Sequence, residues 1–206
     1  MKVAAATRAA FLLVITLFGL TACRMSYKGG ATTVGPNELG AEWVKAAPTP
    51  VVLQRAQTDC GLAALAMIAG AWGRSWSVTD MARHVKPTDK GVKLGALRDL
   101  ARARGLDAYA VKGTFKDLEN ELSKGRPVLL GLVLPFDRNK NLHHFEVVIA
   151  MNPRDGTVVT LDPATGDMMK RTRKVLDLEW KHAKYATLVV VGDRAKPNAV
   201  ASATSP

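Results

Sequence analysis

Residues 54–73 read QRAQTDCGLAALAMIAGAWG, a polar approach followed by an apolar run with helical spacing. Asp59 precedes this run, at a position where an N-cap residue accepts hydrogen bonds from the first helical turn. The apolar positions recur as they do on the buried side of a helix, at Leu62, Leu65, Ala66, Ile68 and Ala69. The pattern therefore predicts a buried helix whose first turn carries Cys60.

Cys60 has two interpretations. A single cysteine on an apolar helix is usually a small core residue, and a buried thiol of that kind is inert. At a helix N-terminus, however, the unpaired backbone N–H groups and the positive end of the helix dipole favour a thiolate, which is the nucleophilic form. Both interpretations stay open from these local features alone.

The first residues of the chain have the order of an export signal. Lys2 and Arg8 precede an apolar run over 11–20 that is too short to span a bilayer comfortably. The run ends in Leu-Thr-Ala-Cys at Cys23, which resembles the bacterial lipoprotein signal, in which this cysteine becomes the lipidated first residue. We expect removal of residues 1–22, lipidation of Cys23 and an outer-membrane position facing the periplasm. An ordinary signal peptide that happens to carry a cysteine is the alternative.

The overall charge is strongly basic, with 29 Lys and Arg residues against 18 Asp and Glu residues and a formal net charge of +11. The densest basic run, 170–174, lacks interleaved aromatic residues, so we predict a solvated basic face and no nucleic-acid binding. If Cys23 carries lipid, Cys60 is the only remaining thiol, and neither a disulfide nor a metal-binding cysteine pair can form. His84 and His182 are isolated, so we expect no metal and no cofactor. The sequence does not indicate the oligomeric state.

Composition divides the chain into three parts after the signal. Residues 23–50 are small, polar and interrupted by Gly and Pro, which predicts a flexible tether with a short helix over 38–45. Residues 51–193 form the predicted domain. Residues 194–206 are rich in Ala, Ser and Pro and are predicted to be disordered.

Within the domain, helical patterns come first and strand patterns follow. We predict helices beginning at 60 and 78, a helix within 91–105, and helices over 115–123 and 175–184. We predict strands over 51–53, 107–111, 127–134, 144–151, 157–161 and 187–191. This order favours an α+β fold in a single domain.

Polar residues elsewhere in the chain could complete the groups that a cysteine hydrolase requires: an imidazole, a group that holds the imidazole and a donor for the oxyanion. His144 lies at a strand end, and the adjacent His143 would point to the opposite face, so only one of them can meet Cys60. Asp162 precedes a proline and could equally form a turn. Gln54 could equally be a surface amide.

The sequence around these residues resembles the C39 peptidases, papain-like cysteine proteases best known as the leader-cleaving domains of bacteriocin exporters. The resemblance covers roughly residues 51–191 and is specific at three places: Q-x-x-x-x-D-C-G-x-A-x-L from Gln54, His144 before an aromatic and a β-rich run, and D-P-x-x-G from Asp162. The resemblance implies an α+β papain-like fold with N-terminal helices packed on a C-terminal antiparallel sheet. It also implies Cys60 as nucleophile, His144 as general base, Asp162 as the group that orients the ring, and Gln54 as oxyanion donor.

Two features depart from the family pattern. Glu146 stands where the family usually has an apolar residue, on the same strand face as His144, and we expect it either to favour basic substrates or to pair with an arginine. The exporter's ATPase motif is absent, so we expect a free-standing enzyme.

The C39 resemblance implies a peptidase that hydrolyses peptide bonds in a peptide or protein substrate, with cleavage after Gly-Gly-type sites as one hypothesis. The lipoprotein signal adds the expectation that this peptidase is anchored to the cell envelope. Gly29-Gly30-Ala31 in the predicted tether resembles such a site, so self-release from the membrane is a further hypothesis. Two alternatives remain at this stage. The domain could bind peptides or assist assembly without turnover, or it could use the same nucleophile to pass an acyl or peptidyl group to an amine.

Overall fold

A computed structural model of the chain describes residues 29–89, 91–137 and 140–193. The predicted signal peptide, the predicted lipidation site Cys23 and the predicted C-terminal tail lie outside the described residues. Across the described ranges, no helix combines the length and the apolar character needed to cross a membrane.

Five α-helices and eight strands occur among the described residues. The helices are α1 (Cys60–Ala71), α2 (Val78–His84), α3 (Leu94–Ala103), α4 (Phe115–Ser123) and α5 (Arg173–His182). The strands are β1 (Thr32–Val34), β2 (Val44–Lys45), β3 (Asp107–Lys112), β4 (Val128–Asp137), β5 (Lys140–Met151), β6 (Val158–Leu161), β7 (Met168–Arg171) and β8 (Ala186–Val191).

The strands form one antiparallel sheet in the order β1-β7-β6-β5-β4-β8-β3, and β2 pairs with the end of β5. The central pair is β4 and β5, in which Leu132 lies opposite His144. On the other side of β5, the pairing with β6 begins at Val147, opposite Leu161. The edge of β5 at His144 therefore extends beyond the end of β6.

Both faces of the sheet are covered by helices, which explains the nearly continuous apolar run of β4. Leu129 and Val147 pack with α1, α2 and α3 in one buried cluster. Val128 and Leu130, which alternate with Leu129 along β4, pack with α4 and α5 around Trp180 in a second cluster. The helices-first order and the antiparallel sheet confirm the predicted α+β class.

The segment before the domain departs from the prediction. β1 pairs with β7, and β2 pairs with β5, so residues 29–50 contribute two strands to the sheet instead of forming a free tether. The predicted helix over 38–45 is also wrong, because only a short 3₁₀ turn, Pro36–Glu38, occurs there. These strands have two or three residues each, so their pairing depends on distant partners and leaves little periodic signal in the sequence.

Candidate active site

The N-terminus of α1 places Cys60 at the surface of the core. Every residue of α1 from Cys60 to Ala69 is buried, so the helix is covered on all sides and not along one stripe only. Asp59 stands at the N-cap position, but its side chain makes no capping hydrogen bond. Its Oδ1 instead accepts hydrogen bonds from the backbone N–H groups of Arg55 and Ala56, at 3.2 and 2.9 Å. The prediction of an Asp59 cap is therefore corrected: this carboxylate fixes the loop that leads into Cys60.

His144 lies between a carboxylate and the thiol. The distance from His144 Nε2 to Asp162 Oδ1 is 2.7 Å, and both side chains are buried. The Cys60 thiol is near enough to the ring for hydrogen bonding and charge from this thiol to raise the pKa of His144. β6 ends at Leu161, so Asp162 follows at the strand end, next to the open edge of β5. Residues far apart in the sequence, Cys60, His144 and Asp162, thus meet in one place.

Asp162 is held by its own turn. Its Oδ1 accepts a hydrogen bond from the backbone N–H of Ala164 at 2.8 Å, and its carbonyl accepts one from Gly166 at 2.7 Å. Gly166 has a φ of +80°, a left-handed conformation that glycine adopts at low cost. The Asp-Pro-x-x-Gly sequence therefore forms a closed turn that orients the carboxylate toward the imidazole.

The surroundings favour a charged His144 ring. Burial opposes the charged form, but the hydrogen bonds to Asp162 and Cys60, together with the charges of Glu146 and Cys60, outweigh burial and raise the pKa of His144 to about 10. Burial also acts to raise the pKa of Asp162, but the hydrogen bond and charge of His144 dominate and lower it. Near neutral pH the pair is therefore imidazolium and carboxylate, which is suited to hold a thiolate next to the ring.

Gln54 lies beside the turn that follows β6. Its backbone N–H donates to the carbonyl of Pro163 at 2.8 Å, and the preceding residues 51–53 form no strand, in contrast to the prediction. Its side-chain Oε1 is buried and has no hydrogen-bond partner among the described residues. An unpaired buried amide oxygen costs about 1–3 kcal/mol, and such exceptions need an explanation beyond stability. Gln54 does not line the cavity at Cys60, where Gln57 is found instead.

Two cavities adjoin the Cys60–His144 contact. The first, which we call the Cys60 cavity, has a volume of about 300 Å³ and is lined by Cys60, Gln57, Asp89 and other residues. The second, the His144 cavity, has a volume of about 440 Å³ and is lined by His144 but not by Cys60. The exposed His143 contributes to both cavities. His144 is the histidine whose pKa the Cys60 thiol raises, whereas His143 lines the two cavities.

Behind His144 lies a buried ion network that the sequence only partly revealed. Arg171 Nη1 and Nη2 donate to both oxygens of Glu146 at 2.7 and 2.8 Å, and Arg171 Nε donates to Glu179 at 2.6 Å. Thr160 also contacts Glu146 and Arg171 through its hydroxyl. All four side chains are buried. Of the two expectations for Glu146, the structure shows pairing with an arginine.

Arg171 departs from the solvated basic face predicted for residues 170–174, because it is only 1% exposed, whereas Arg173 and Lys174 in the same run are exposed. Charge density along the chain gives no signal for this burial, since Lys170 precedes Arg171 and Arg173 follows two residues later. The available signal was Glu146, an acidic residue inside an apolar strand, which requires a buried partner.

One group of side chains among the described residues is close enough together to hold a metal ion: His144, Glu146 and Asp162. Their ligand atoms are already engaged. Both oxygens of Glu146 accept from Arg171, and Asp162 Oδ1 accepts from His144. The guanidinium in direct contact with Glu146 would also repel a cation. This donor set fits an ion-paired cluster better than a metal centre.

A comparison with protein families matches the Peptidase C39 family over residues 48–190. The chain belongs to the peptidase C39 family. The chain is also similar to a curated protein, the Probable microcin-H47 secretion/processing ATP-binding protein MchF of Escherichia coli, with 27% identity over 130 residues. That match covers 63% of this chain and 16% of the relative, so the chain spans about a sixth of that protein.

Solved C39 structures share the fold. A C39-like peptidase from Bacillus anthracis superimposes with a TM-score of 0.61 at 18% identity, covering 74% of this chain and 99% of that one. The peptidase domain of Streptococcus ComA gives a TM-score of 0.58 at 19% identity, covering 71% and 100%. A double glycine motif protease from an AMS/PCAT transporter, solved in complex with a leader peptide, gives 0.56 at 20% identity, covering 71% and 94%. These C39 matches confirm the predicted papain-like fold.

Proposed function

We propose that this chain is a cysteine peptidase that hydrolyses peptide bonds through Cys60, His144 and Asp162. The observation that carries the proposal is the buried hydrogen bond between His144 and Asp162, next to a Cys60 thiol that raises the pKa of the same ring. Membership of the peptidase C39 family supports the same reaction class. An inert core cysteine would need neither a charged imidazole nor the carboxylate behind it.

In the proposed reaction the Cys60 thiolate attacks the carbonyl carbon of the scissile peptide bond. The bond between carbon and nitrogen then breaks as the His144 imidazolium donates its proton to the leaving amine, and a thioester remains on Cys60. Neutral His144 then takes a proton from a water molecule as the oxygen of that water attacks the thioester carbon. The bond between carbon and sulfur breaks, which restores the thiolate–imidazolium pair and releases a carboxylic acid that loses its proton to solvent. Asp162 keeps the ring oriented and stabilises its charged form throughout.

The oxyanion in this scheme needs preorganised donors. Cys60 is the first residue of α1, and the first N–H groups of a helix have no acceptor within the helix, so the Cys60 backbone N–H is one candidate. The Gln54 side-chain amide is the second. Its Oε1 has no hydrogen-bond partner among the described residues. A rotation of the amide by 180°, which exchanges the oxygen for the NH₂ donor, would therefore break no hydrogen bond of that oxygen.

We also propose that the protein is anchored to the outer membrane through a lipid on Cys23 and faces the periplasm. The Leu-Thr-Ala-Cys sequence supports this proposal. Blocking the lipoprotein signal peptidase should leave an uncleaved precursor, and Cys23→Ala should move the protein from the membrane fraction to the soluble fraction. A membrane fraction unchanged by Cys23→Ala would contradict the anchor.

Cleavage after Gly-Gly-type sites is a proposal for the substrate, supported by the double glycine motif protease among the similar structures. The chain's own Gly29-Gly30 is a poor candidate for self-cleavage in the folded state. The Gly30 backbone N–H donates to buried Glu179 Oε1 at 2.7 Å, and neither glycine lines the Cys60 cavity. The mass of the mature protein should therefore stay constant over time.

The decisive experiment combines a thiol-reactive probe with a peptide library. In a Cys23→Ser background, labelling reports on Cys60 alone, and we expect native protein to label faster than urea-denatured protein and faster than the His144→Ala variant. Mass spectrometry of a peptide library should show new cleavage sites with the native protein and none with Cys60→Ala.

The outcomes separate the proposed peptidase from its alternatives. Labelling no faster than in the denatured protein, with no cleavage, would identify a peptide-binding domain without turnover. Products joined to an added amine in preference to hydrolysed products would identify a transferase with the same nucleophile.

A further inference from the structure

The two cavities beside the Cys60–His144 contact differ in the catalytic group that they expose. The Cys60 cavity contains the thiol and not His144, whereas the His144 cavity contains the imidazole and not Cys60. The contact between the two side chains therefore marks the boundary between them. A peptide bound across this boundary would occupy both cavities.

The proposed chemistry assigns a direction to such a peptide. The acyl part of the substrate stays on the Cys60 sulfur as a thioester, so its residues must lie in the Cys60 cavity. The leaving amine receives its proton from the ring of His144, so the residues after the scissile bond must lie on the imidazole side. The His144 cavity is thus the leaving-side pocket of the proposed peptidase.

Charge is distributed asymmetrically between the two cavities. The described residues that line the His144 cavity include exposed Lys93 and Lys184 and no Asp or Glu. Neither lysine forms a salt bridge within the described part of the chain. The described lining of the Cys60 cavity includes Asp89 and no Lys or Arg. The leaving side therefore attracts an acidic side chain and the acyl side disfavours one.

The backbone at Lys184 is held in an uncommon conformation. Lys184 and Tyr185 both have a φ of 57°, in the left-handed region that non-glycine residues rarely adopt. The Tyr185 backbone N–H donates to the carbonyl of Trp180 at 2.9 Å, and its hydroxyl donates to Asp177 at 3.1 Å. Such conformations cost energy and persist where the surrounding contacts impose them, often at ligand sites. The turn fixes the backbone at Lys184 on the rim of the cavity.

Apart from Thr88, the three histidines and the two lysines, the described side chains that line the His144 cavity are apolar. Leu132 forms part of its surface, and Phe145 and Leu94 add further apolar groups. An apolar surface with a cationic rim suits a peptide segment in which hydrophobic and acidic side chains occur together.

We infer that the His144 cavity selects substrates with an acidic residue among the first few positions after the scissile bond, recognised by Lys93 and Lys184. The inference rests on the proposed peptidase function and adds to it a substrate preference specific to this chain. Because the two lysines are exposed, the preference should weaken as ionic strength rises.

The test compares cleavage sites in a peptide library derived from a proteome, using the purified full chain at low salt. We expect Asp and Glu to be enriched at the first positions after the cut and not before it. The double variant Lys93→Glu/Lys184→Glu should lose this enrichment and gain Lys and Arg there. The matched control Lys86→Glu/Lys174→Glu makes the same charge change at two exposed lysines that line neither cavity and should keep the wild-type preference.

Cleavage without acidic enrichment, enrichment before the cut, or enrichment unaffected by the rim variant would each overturn the inference while leaving the peptidase intact. If the wild-type chain cleaves nothing, the proposed function fails. Peptide binding to the Cys60→Ala variant then tests whether Lys93 and Lys184 recognise acidic side chains. Two labelled peptides that differ only in three Glu against three Lys residues serve as probes. We expect the Glu peptide to bind about ten-fold more tightly than the Lys peptide, and we expect the order to reverse when Lys93→Glu/Lys184→Glu is added. Equal binding of the two peptides would refute recognition of acidic residues by these lysines.

Discussion

Replacing Arg171 by Met tests whether the buried ion network supports the fold around His144. Met keeps much of the apolar stem and removes the guanidinium. Arg171 contacts the carboxylate of Glu146 at 2.7 and 2.8 Å and that of Glu179 at 2.6 Å, and the two glutamates are 0% and 2% exposed. Breaking a buried pair by removing one partner costs about 3–5 kcal/mol, because an uncompensated charge stays buried. Since two carboxylates lose their partner here, we expect the upper part of that range.

The measurement is the free energy of unfolding in urea, followed by circular dichroism and tryptophan fluorescence. A loss of this size should also lower the melting temperature by roughly 6–20 °C for a domain of this length. Lys170→Met is the matched control on the same strand, because the Lys170 side chain is 38% exposed and its Nζ lies 3.6 Å from Glu38. The control should change the free energy by no more than about 0.5 kcal/mol.

A second variant separates charge from packing. Glu146→Gln combined with Arg171→Met leaves one stranded carboxylate instead of two, so it should be more stable than Arg171→Met alone. If Arg171→Met costs less than about 1 kcal/mol, or if the double variant is less stable still, the ion network does not stabilise the fold in the way argued.

Three further outcomes follow from the site. The value of kcat/KM should fall as pH rises through about 10, where the surroundings place the pKa of His144. In Asp162→Asn the pH at which kcat/KM falls should shift down toward about 6.5, the ordinary pKa of histidine. An alkaline limb unchanged in this variant would contradict the proposed pairing of His144 with Asp162. Gln54→Ala should lower kcat by about 10²–10³-fold with KM little changed, measured on any peptide found in the library, and a loss below three-fold would exclude an oxyanion role. Gly166→Ala should cost about 1 kcal/mol of unfolding free energy because of its φ of +80°, whereas Gly95→Ala in α3, where an added Cβ meets no atom within 4 Å, should be neutral or stabilising.

Local chemistry made several elements predictable. α4 spans the predicted residues 115–123, because Thr114 and Asp117 cap it reciprocally and both residues are visible in the sequence. The Ser77 cap of α2 is likewise present, with its side chain accepting from the backbone N–H of Asp80. At these two helix starts, a side chain caps a backbone N–H three positions later, and both residues are close together in the sequence.

The candidate site was predictable for a related reason. Asp162 directly follows β6, and His144 lies inside β5, three residues before the first residue that pairs with β6, so their proximity follows once the two strands pair. The loop before Cys60 was less predictable. Asp59 occupies the position of an N-cap, but its carboxylate accepts hydrogen bonds from the preceding backbone N–H groups of Arg55 and Ala56 and caps no N–H of the helix. The N-cap preference for Asp therefore locates the start of α1 correctly but predicts the wrong hydrogen-bond donors for Asp59.

Elements defined by distant partners escaped prediction. β1, β2 and β7 contain two to four residues each, too few for alternation to show. Arg171 on β7 stands in a basic run, which predicts a solvated side chain, but its two partners, Glu146 and Glu179, lie 25 and 8 residues away along the chain. Burial of an arginine depends on which acids the fold brings to it, and a single sequence does not encode that pairing in any local pattern.

The same network explains why the site geometry is specific to one strand register. Glu146 on β5, Thr160 on β6 and Arg171 on β7 come from three adjacent strands, and their hydrogen bonds join across the sheet. A shift of β6 by one residue would turn Thr160 to the opposite face and leave the ion pair without its hydroxyl. The same shift would move Asp162, two residues further along, away from His144. The buried charges therefore select the register in which carboxylate and imidazole meet, even where an apolar replacement would pack equally well.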